Sequence, residues 1–218
     1  MIGAILLSLV GSNRALDERA DDLVAVATEQ GLFFWRAMGT IFRGWVKVEK
    51  GEVPEGVSLL YSGLTAYRAT GAELYVPYHT ALLARAGEIA GQAEEAATLS
   101  DDALRIAEKT GERWFAAELN RQKGQLLLRQ GHSEAAEELY RKALNIAREQ
   151  EAKLWELRAT MSLARLRREQ DGRSEARDLL APVYGWFTEG FDTPDLKEAA
   201  ALLEELDGLP DPRTTART

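Results

Sequence analysis

Residues 129–150 read RQGHSEAAEELYRKALNIAREQ. Behind Gly131, the residues Ala136, Leu139, Tyr140, Ala143, Leu144 and Ala147 keep the i, i+3, i+4, i+7 spacing of one apolar helix face. Forty residues upstream the same pattern follows another glycine: Gly91, then Ala96, Leu99, Ser100, Ala103 and Leu104. Stacking the chain from Gly31, Gly71, Gly111 and Glu151 extends the match into columns. One column is aromatic: Trp35, Tyr75, Phe115, Trp155. A small column, nine positions later, reads Gly44, Ala84, Gly124, Ala164. Gly51, Gly91, Gly131 and Asp171, with Gly172 beside it, mark a turn. Beyond that turn come Gly56, Ala96, Ala136, Ala176, then Leu59, Leu99, Leu139, Leu179, and then Gly63, Ala103, Ala143, Val183.

A fixed period of this kind is the signature of a helical repeat. Each unit is expected to hold two helices of roughly 16–18 residues, ended by glycine in the left-handed backbone that glycine adopts at no steric cost. The small columns mark helices that cross too closely for a larger side chain. Helical repeats of the HEAT and armadillo type run about 40–47 residues and tetratricopeptide repeats about 34. The side-chain register decides between them. Gly124, Gly131, Ala136, Tyr140 and Ala143 follow the tetratricopeptide order, so the fold expected is all-α, a right-handed superhelical solenoid of tetratricopeptide-like hairpins with a 40-residue period.

The expected organisation is a single repeat domain over 1–206. It opens with a truncated hairpin (1–30) and continues through repeats 31–70, 71–110, 111–150 and 151–190. In the opening hairpin, 2–11 reads as a short first helix and 13–30 as its partner. DTPDLKEAAALLEEL at the other end reads as a capping helix over 193–206, with Thr193 as N-cap, Pro194 in the first helical position and Asp195 complementing the dipole. Such a helix covers apolar surface that an end repeat would expose. The tail from 207 to 218 has too few apolar residues to order itself.

Composition narrows the function. Of 218 residues 45% are hydrophobic and 28% charged, as in ordinary globular proteins, and the net charge is -8. An acidic chain is a poor ligand for nucleic-acid phosphates. With no cysteine, disulfides and thiolate metal sites are excluded, which suits a reducing compartment such as the cytoplasm. No apolar run is long enough to cross a membrane. The opening MIGAILLSLVGS lacks a basic leading segment and a small-residue cleavage site, so it reads as an apolar helix packed on its neighbour.

GERWFAAELNRQKGQLLLRQG (111–131) and LLAPVYGWFTEGFDTPDLKEAAALLEEL (179–206) resemble the C-terminal helical repeats of large bacterial regulators. Those proteins carry a class III adenylate/guanylate cyclase or transcription-factor domain, an ATPase domain, and then such repeats. The resemblance covers roughly residues 13–206 and is most specific in GFDTPDLKEA. It implies a sensing or regulatory arm. The chain has no G-x-x-x-x-G-K-[ST] phosphate loop and no strand-rich segment with metal-binding aspartates, so neither ATPase nor cyclase activity carries over.

No catalytic set can be assembled. His79 and His132 lack acidic or histidine neighbours at ligand spacing, and the pairs Glu94–Glu95 and Asp101–Asp102 read as a solvated helix face. No enzyme activity, cofactor or metal is therefore expected. The expected partner is a protein or peptide held in the concave groove lined by the first helix of each unit, with no nucleic acid and no membrane involved. In that register Phe42, Trp45, Arg85, Arg121, Gln125, Arg158 and Arg165 face the partner, running from an apolar end to a basic one. Arg158 and Arg165 share a helical stripe, and arginine there can fork onto the carboxylates of an acidic segment. Two alternatives stand beside this reading. Trp45 packs beneath the short N-terminal hairpin, or the arginines pair on the helix surface, Arg165 with Glu169 for example. A different functional class, a small-ligand sensor regulating a cyclase or ATPase effector, also remains open.

Overall fold

The computed structural model describes residues 2–208. Eleven α-helices run through them: α1 (Ile2–Leu9), α2 (Asn13–Glu29), α3 (Phe33–Glu49), α4 (Val53–Ala69), α5 (Val76–Ile89), α6 (Ala93–Thr110), α7 (Ala116–Arg129), α8 (Ser133–Glu149), α9 (Lys153–Glu169), α10 (Arg173–Tyr184) and α11 (Pro194–Asp207). No strand occurs among the described residues. The chain forms two compact units, Met1–Phe115 and Ala116–Thr218. Of the tail expected to be disordered, 209–218 lies outside the described residues, while Asp207 closes α11.

A left-handed residue every twenty positions ends the helices. Gly31, Gly51, Gly71, Gly91, Gly111 and Gly131 have φ between 66° and 86°. Glu151 and Asp171 hold the next two places with φ of 53° and 61°. Gly172, beside Asp171, has an ordinary φ of -90°, so the aspartate itself takes the strained backbone. At Gly131 the turn is closed by its own N–H on Leu128 (3.0 Å) and by His132 N–H on the Leu127 carbonyl (2.9 Å). These bonds use carbonyls that the helix end leaves unpaired.

Within unit 1 the small columns bring α3 and α4 into backbone contact. A Cβ on Gly44 would lie 2.8 Å from both the Gly56 carbonyl oxygen and the Leu60 nitrogen. Within unit 2, a Cβ on Gly124 would meet the buried Tyr140 ring at 2.7 Å. The half-buried column is Leu59, Leu99, Leu139, Leu179, whereas Leu60, Tyr140 and Leu180 one position later are fully buried. In unit 2 the cores follow from this register. Ala136, Tyr140, Ala143 and Leu144 of α8 pack with Ala159, Leu163 and Leu166 of α9. Leu180 and Ala176 of α10 join Leu157 and Met161 of α9 and Leu196, Ala199, Leu202 and Leu206 of α11.

Helices α5 and α7 have 14 residues and α3 and α9 have 17, because the earlier pair start late. Tyr75 sits at φ 63°, and Pro77 restricts Val76 before it. Glu112 stabilises the displaced turn: its carboxylate accepts the Tyr75 N–H at 2.9 Å and the Trp114 Nε1–H at 2.7 Å. Thr193 takes the extended N-cap backbone before Pro194, but its hydroxyl donates to the Gly190 carbonyl (2.6 Å) and makes no side-chain cap bond to α11.

His79 is an interior residue of unit 1. Phe42, Tyr67 and Tyr78 surround it with ring centroids at 6.2, 4.9 and 5.4 Å, and neither ring nitrogen has a hydrogen-bond partner among the described residues. Burial pushes its pKa down from 6.5 to about 3. The imidazole is therefore neutral in the folded state across the interval in which the unfolded chain binds a proton. Stability from this site is intact above the unfolded value and drains away as pH falls from about 6.5 towards 3. Urea unfolding is expected to show a loss of about 2 kcal/mol between pH 7 and pH 5, and His79→Phe should lack that component. Equal acid sensitivity of parent and variant would contradict this placement.

Candidate interaction surface

In unit 1 the first helices α3 and α5 are neighbours. The groove side chains expected on α3 are largely withdrawn from solvent. Phe42 is fully buried and Trp45 is 6% exposed, alongside buried Met38, Ile41 and Val48. Those two residues therefore serve the interior of unit 1, a correction to their expected place on a partner-facing surface. The physical reason is the apolar character of the whole stripe, which is worth about 25 cal/mol per Å² when removed from water. Helix α1 packs on α2, and its Ser8 hydroxyl hydrogen-bonds with the Tyr78 hydroxyl of α5. Tyr78 is itself buried against the Trp114 and Phe115 rings, at 5.5 and 5.1 Å.

Arg85 behaves differently. It is exposed on α5, and its guanidinium carbon lies 5.9 Å from the Trp45 ring centroid. A cation at that distance is attracted by the ring quadrupole, and among the described residues no hydrogen bond or ion pair engages the Arg85 donors. The edge of Trp45 that remains accessible thus borders a positive charge.

In unit 2 the first helices α7 and α9 are neighbours, and α11 lies against α9. Glu118 is 2% exposed and accepts two bonds from Arg121, Nε at 2.7 Å and Nη2 at 2.6 Å. Gln122 adds a third at 3.1 Å, and an Arg158 nitrogen stands 3.8 Å away. Burial alone would raise the Glu118 pKa; the Arg121 and Arg158 charges outweigh it and hold the carboxyl below the usual range. Arg121 reaches on to the Ser162 hydroxyl (3.4 Å). Arg158 forks onto Asp195 of α11, Nε at 2.6 Å and Nη2 at 2.8 Å, with its guanidinium 5.2 Å from the Trp155 ring centre. Arg165 bonds Glu198 at 2.6 Å, and Arg168 bonds Glu205, both acids also on α11. Gln125 is half-buried on α7.

The structure brings Arg121 and Arg158 together around Glu118, with Arg165 about two turns further along α9, but every one of the three arginines already holds a carboxylate of this chain. Arg165 pairs with Glu198 of α11, where Glu169 on its own helix had been one expectation. The residues that sequence reasoning undervalued are Glu118, Asp195 and Glu198. The Glu118–Arg121 spacing of three is visible in the sequence. The pairs to α11 span 37 and 33 residues, beyond any local pattern. Among the described residues, no group of three or more histidines and acids is placed to hold a metal ion. No helix among them is long and apolar enough to cross a membrane.

Comparison with known proteins agrees with this geometry at the level of fold. The tetratricopeptide repeat family model matches residues 77–149, which cover all but the first residue of α5 and the whole of α6 to α8. No curated protein matches the sequence. Among solved structures, the chain is similar to a signal transduction ATPase with numerous domains (STAND) from Pyrococcus horikoshii that has a tetratricopeptide repeat sensor. That likeness has a TM-score of 0.71 at 17% identity, covering 93% of this chain and 32% of that one. BtubC (BKLC) from P. vanneervenii gives 0.69 at 16% identity, covering 92% and 82%. A Rap protein complexed with Competence and Sporulation Factor gives 0.65 at 14% identity, covering 94% and 62%. Helix order, columns and these likenesses lead to one conclusion: the fold is all-α and built of tetratricopeptide-like helical repeats.

Proposed function

We propose that the chain is a non-catalytic interaction module, cytoplasmic, that seats a partner peptide or domain on the faces of its first helices within a signalling or transcription-regulating system. The observation that carries this reading is Arg85, exposed and free to donate while held over Trp45. The buried carboxylates Glu118 and Glu156 are both occupied by cations, which suits a binding surface better than acid–base chemistry. An acidic segment would meet Arg85 directly. To reach Arg158 or Arg165 it must exchange with Asp195 or Glu198. The Rap likeness, a structure solved with a bound factor, supports a groove of this kind. The STAND likeness supports a second reading, a small-ligand sensor arm acting on an associated cyclase or ATPase effector.

The test is the affinity of a captured partner for Arg85→Glu. This side chain is exposed, so the variant should fold as the parent does. At low salt, binding is expected to weaken about tenfold, with the difference shrinking as screening rises. Unchanged affinity in a folded variant would move the site away from α5.

A further inference from the structure

The turn into α3 carries a feature that the interaction face does not use. Leu32 and Phe33 are 45% and 66% exposed, adjacent in sequence and both large and apolar. They border a cavity of about 650 Å³, which Phe34, Trp35 and Ala66 also line. That volume falls within the roughly 300–1,000 Å³ of small-molecule sites. Its wall is built rather than incidental. Phe34 packs edge-on to Trp35 (5.0 Å) and against Tyr67 (5.1 Å), and the Tyr67 hydroxyl is fixed to the Leu74 carbonyl at 2.7 Å.

Among the described residues, one charged side chain lines this cavity. Arg36 lines it, is exposed, and has its guanidinium carbon 5.3 Å from the Phe33 ring centre. No carboxylate among the described residues is bonded to it. Scattered apolar side chains on a surface need no explanation, but a contiguous apolar cavity rimmed by an unneutralised cation does. We infer that this cavity of unit 1 is a binding site for a small amphipathic carboxylate, with an apolar body against Phe33, Phe34 and Trp35 and its anionic head on Arg36. Charge complementarity chooses the head group, since a guanidinium fork matches a carboxylate. The absence of a second cation in the lining favours a monoanion over a phosphate.

The site lies at the start of α3 and uses neither Arg85 nor Trp45, the residues that carry the partner reading, so its test is independent of that reading. The full chain is titrated with sodium decanoate below its micelle-forming concentration, with decanol and propionate as probes lacking the charge or the tail. Tryptophan emission and thermal stabilisation are both read. Decanoate should give a saturable emission change that disappears in Trp35→Phe, while the thermal stabilisation survives there. Decanol should bind at least tenfold more weakly than decanoate, and propionate should not saturate. Arg36→Gln and Phe33→Ser alter exposed side chains, so both should fold, and each should weaken decanoate at least tenfold. Equal binding of decanol, or an unaltered response in Arg36→Gln, would overturn the assignment. So would a parent that shows no saturable response, or one that buries Trp35 by self-association in sedimentation.

Discussion

Glu118→Gln is expected to be the most damaging single substitution in unit 2, costing about 3–5 kcal/mol in urea unfolding. The carboxylate is 2% exposed and Arg121 is 7% exposed, so neither charge can fall back on water when its partner is lost. Arg158, at 3.8 Å, would then face Arg121 without the negative charge between them. The cost comes from stranding a buried cation and says little about what the pair contributes. Glu118→Met combined with Arg121→Met removes both charges, and buried pairs exchanged for apolar residues of similar volume are often neutral. The double variant should therefore recover most of the loss. A Glu118→Gln protein as stable as its parent would mean that the guanidinium is solvated and the network is not closed.

Leu180→Ala comes next, at about 2–5 kcal/mol for lost burial plus the cavity left behind. Leu180 is fully buried where α10 meets Leu157 of α9 and Leu196 and Leu202 of α11. Its neighbour Leu179 is only half-buried, so Leu179→Ala should cost clearly less. The comparison of the two denaturation midpoints checks the register directly. A larger effect at Leu179 would rotate α10 by one residue and break the account of how α11 docks.

These two substitutions mark where the sequence was and was not enough. A left-handed residue recurs every twenty positions from Gly31 to Asp171, and such punctuation is legible because few residues accept that backbone. The small columns were equally legible, since Gly44 and Gly124 leave no room for a Cβ. Which residue of the apolar face lies deepest was not legible. Leu59, Leu99, Leu139 and Leu179 repeat as identical residues, while one position later Leu60, Tyr140 and Leu180 are fully buried and Ser100 is half-buried, so that line varies in kind. Residue identity is a poor guide to depth when a helix buries a broad face. The late starts of α5 and α7 depend on Glu112 bonding Tyr75 and Trp114, a contact between turns that periodicity does not report.

The helices that carry the arginines were legible in the sequence, and their carboxylate partners were not. Arg121, Arg158 and Arg165 do lie on neighbouring first helices, as spacing implied. Their carboxylates come from Glu118 on the same helix and from Asp195 and Glu198 on α11. Asp195 looked like a charge suited to a helix start, and the pairing with Arg158 appears only once α11 is folded against α9. Phe42 and Trp45 were obscure for a related reason. An apolar stripe on a first helix reads the same whether it awaits a partner or lies within the core.

The central claim is that the first helices carry the binding. Hydrogen exchange of the full chain, alone and with its captured partner, measures this helix by helix. The account predicts slower exchange in α5 around Arg85 and in other first helices among α3, α7 and α9, with Arg85→Glu diminishing the effect at α5. Protection confined to the second helices α4, α6, α8 and α10, with the first helices unchanged, would contradict it.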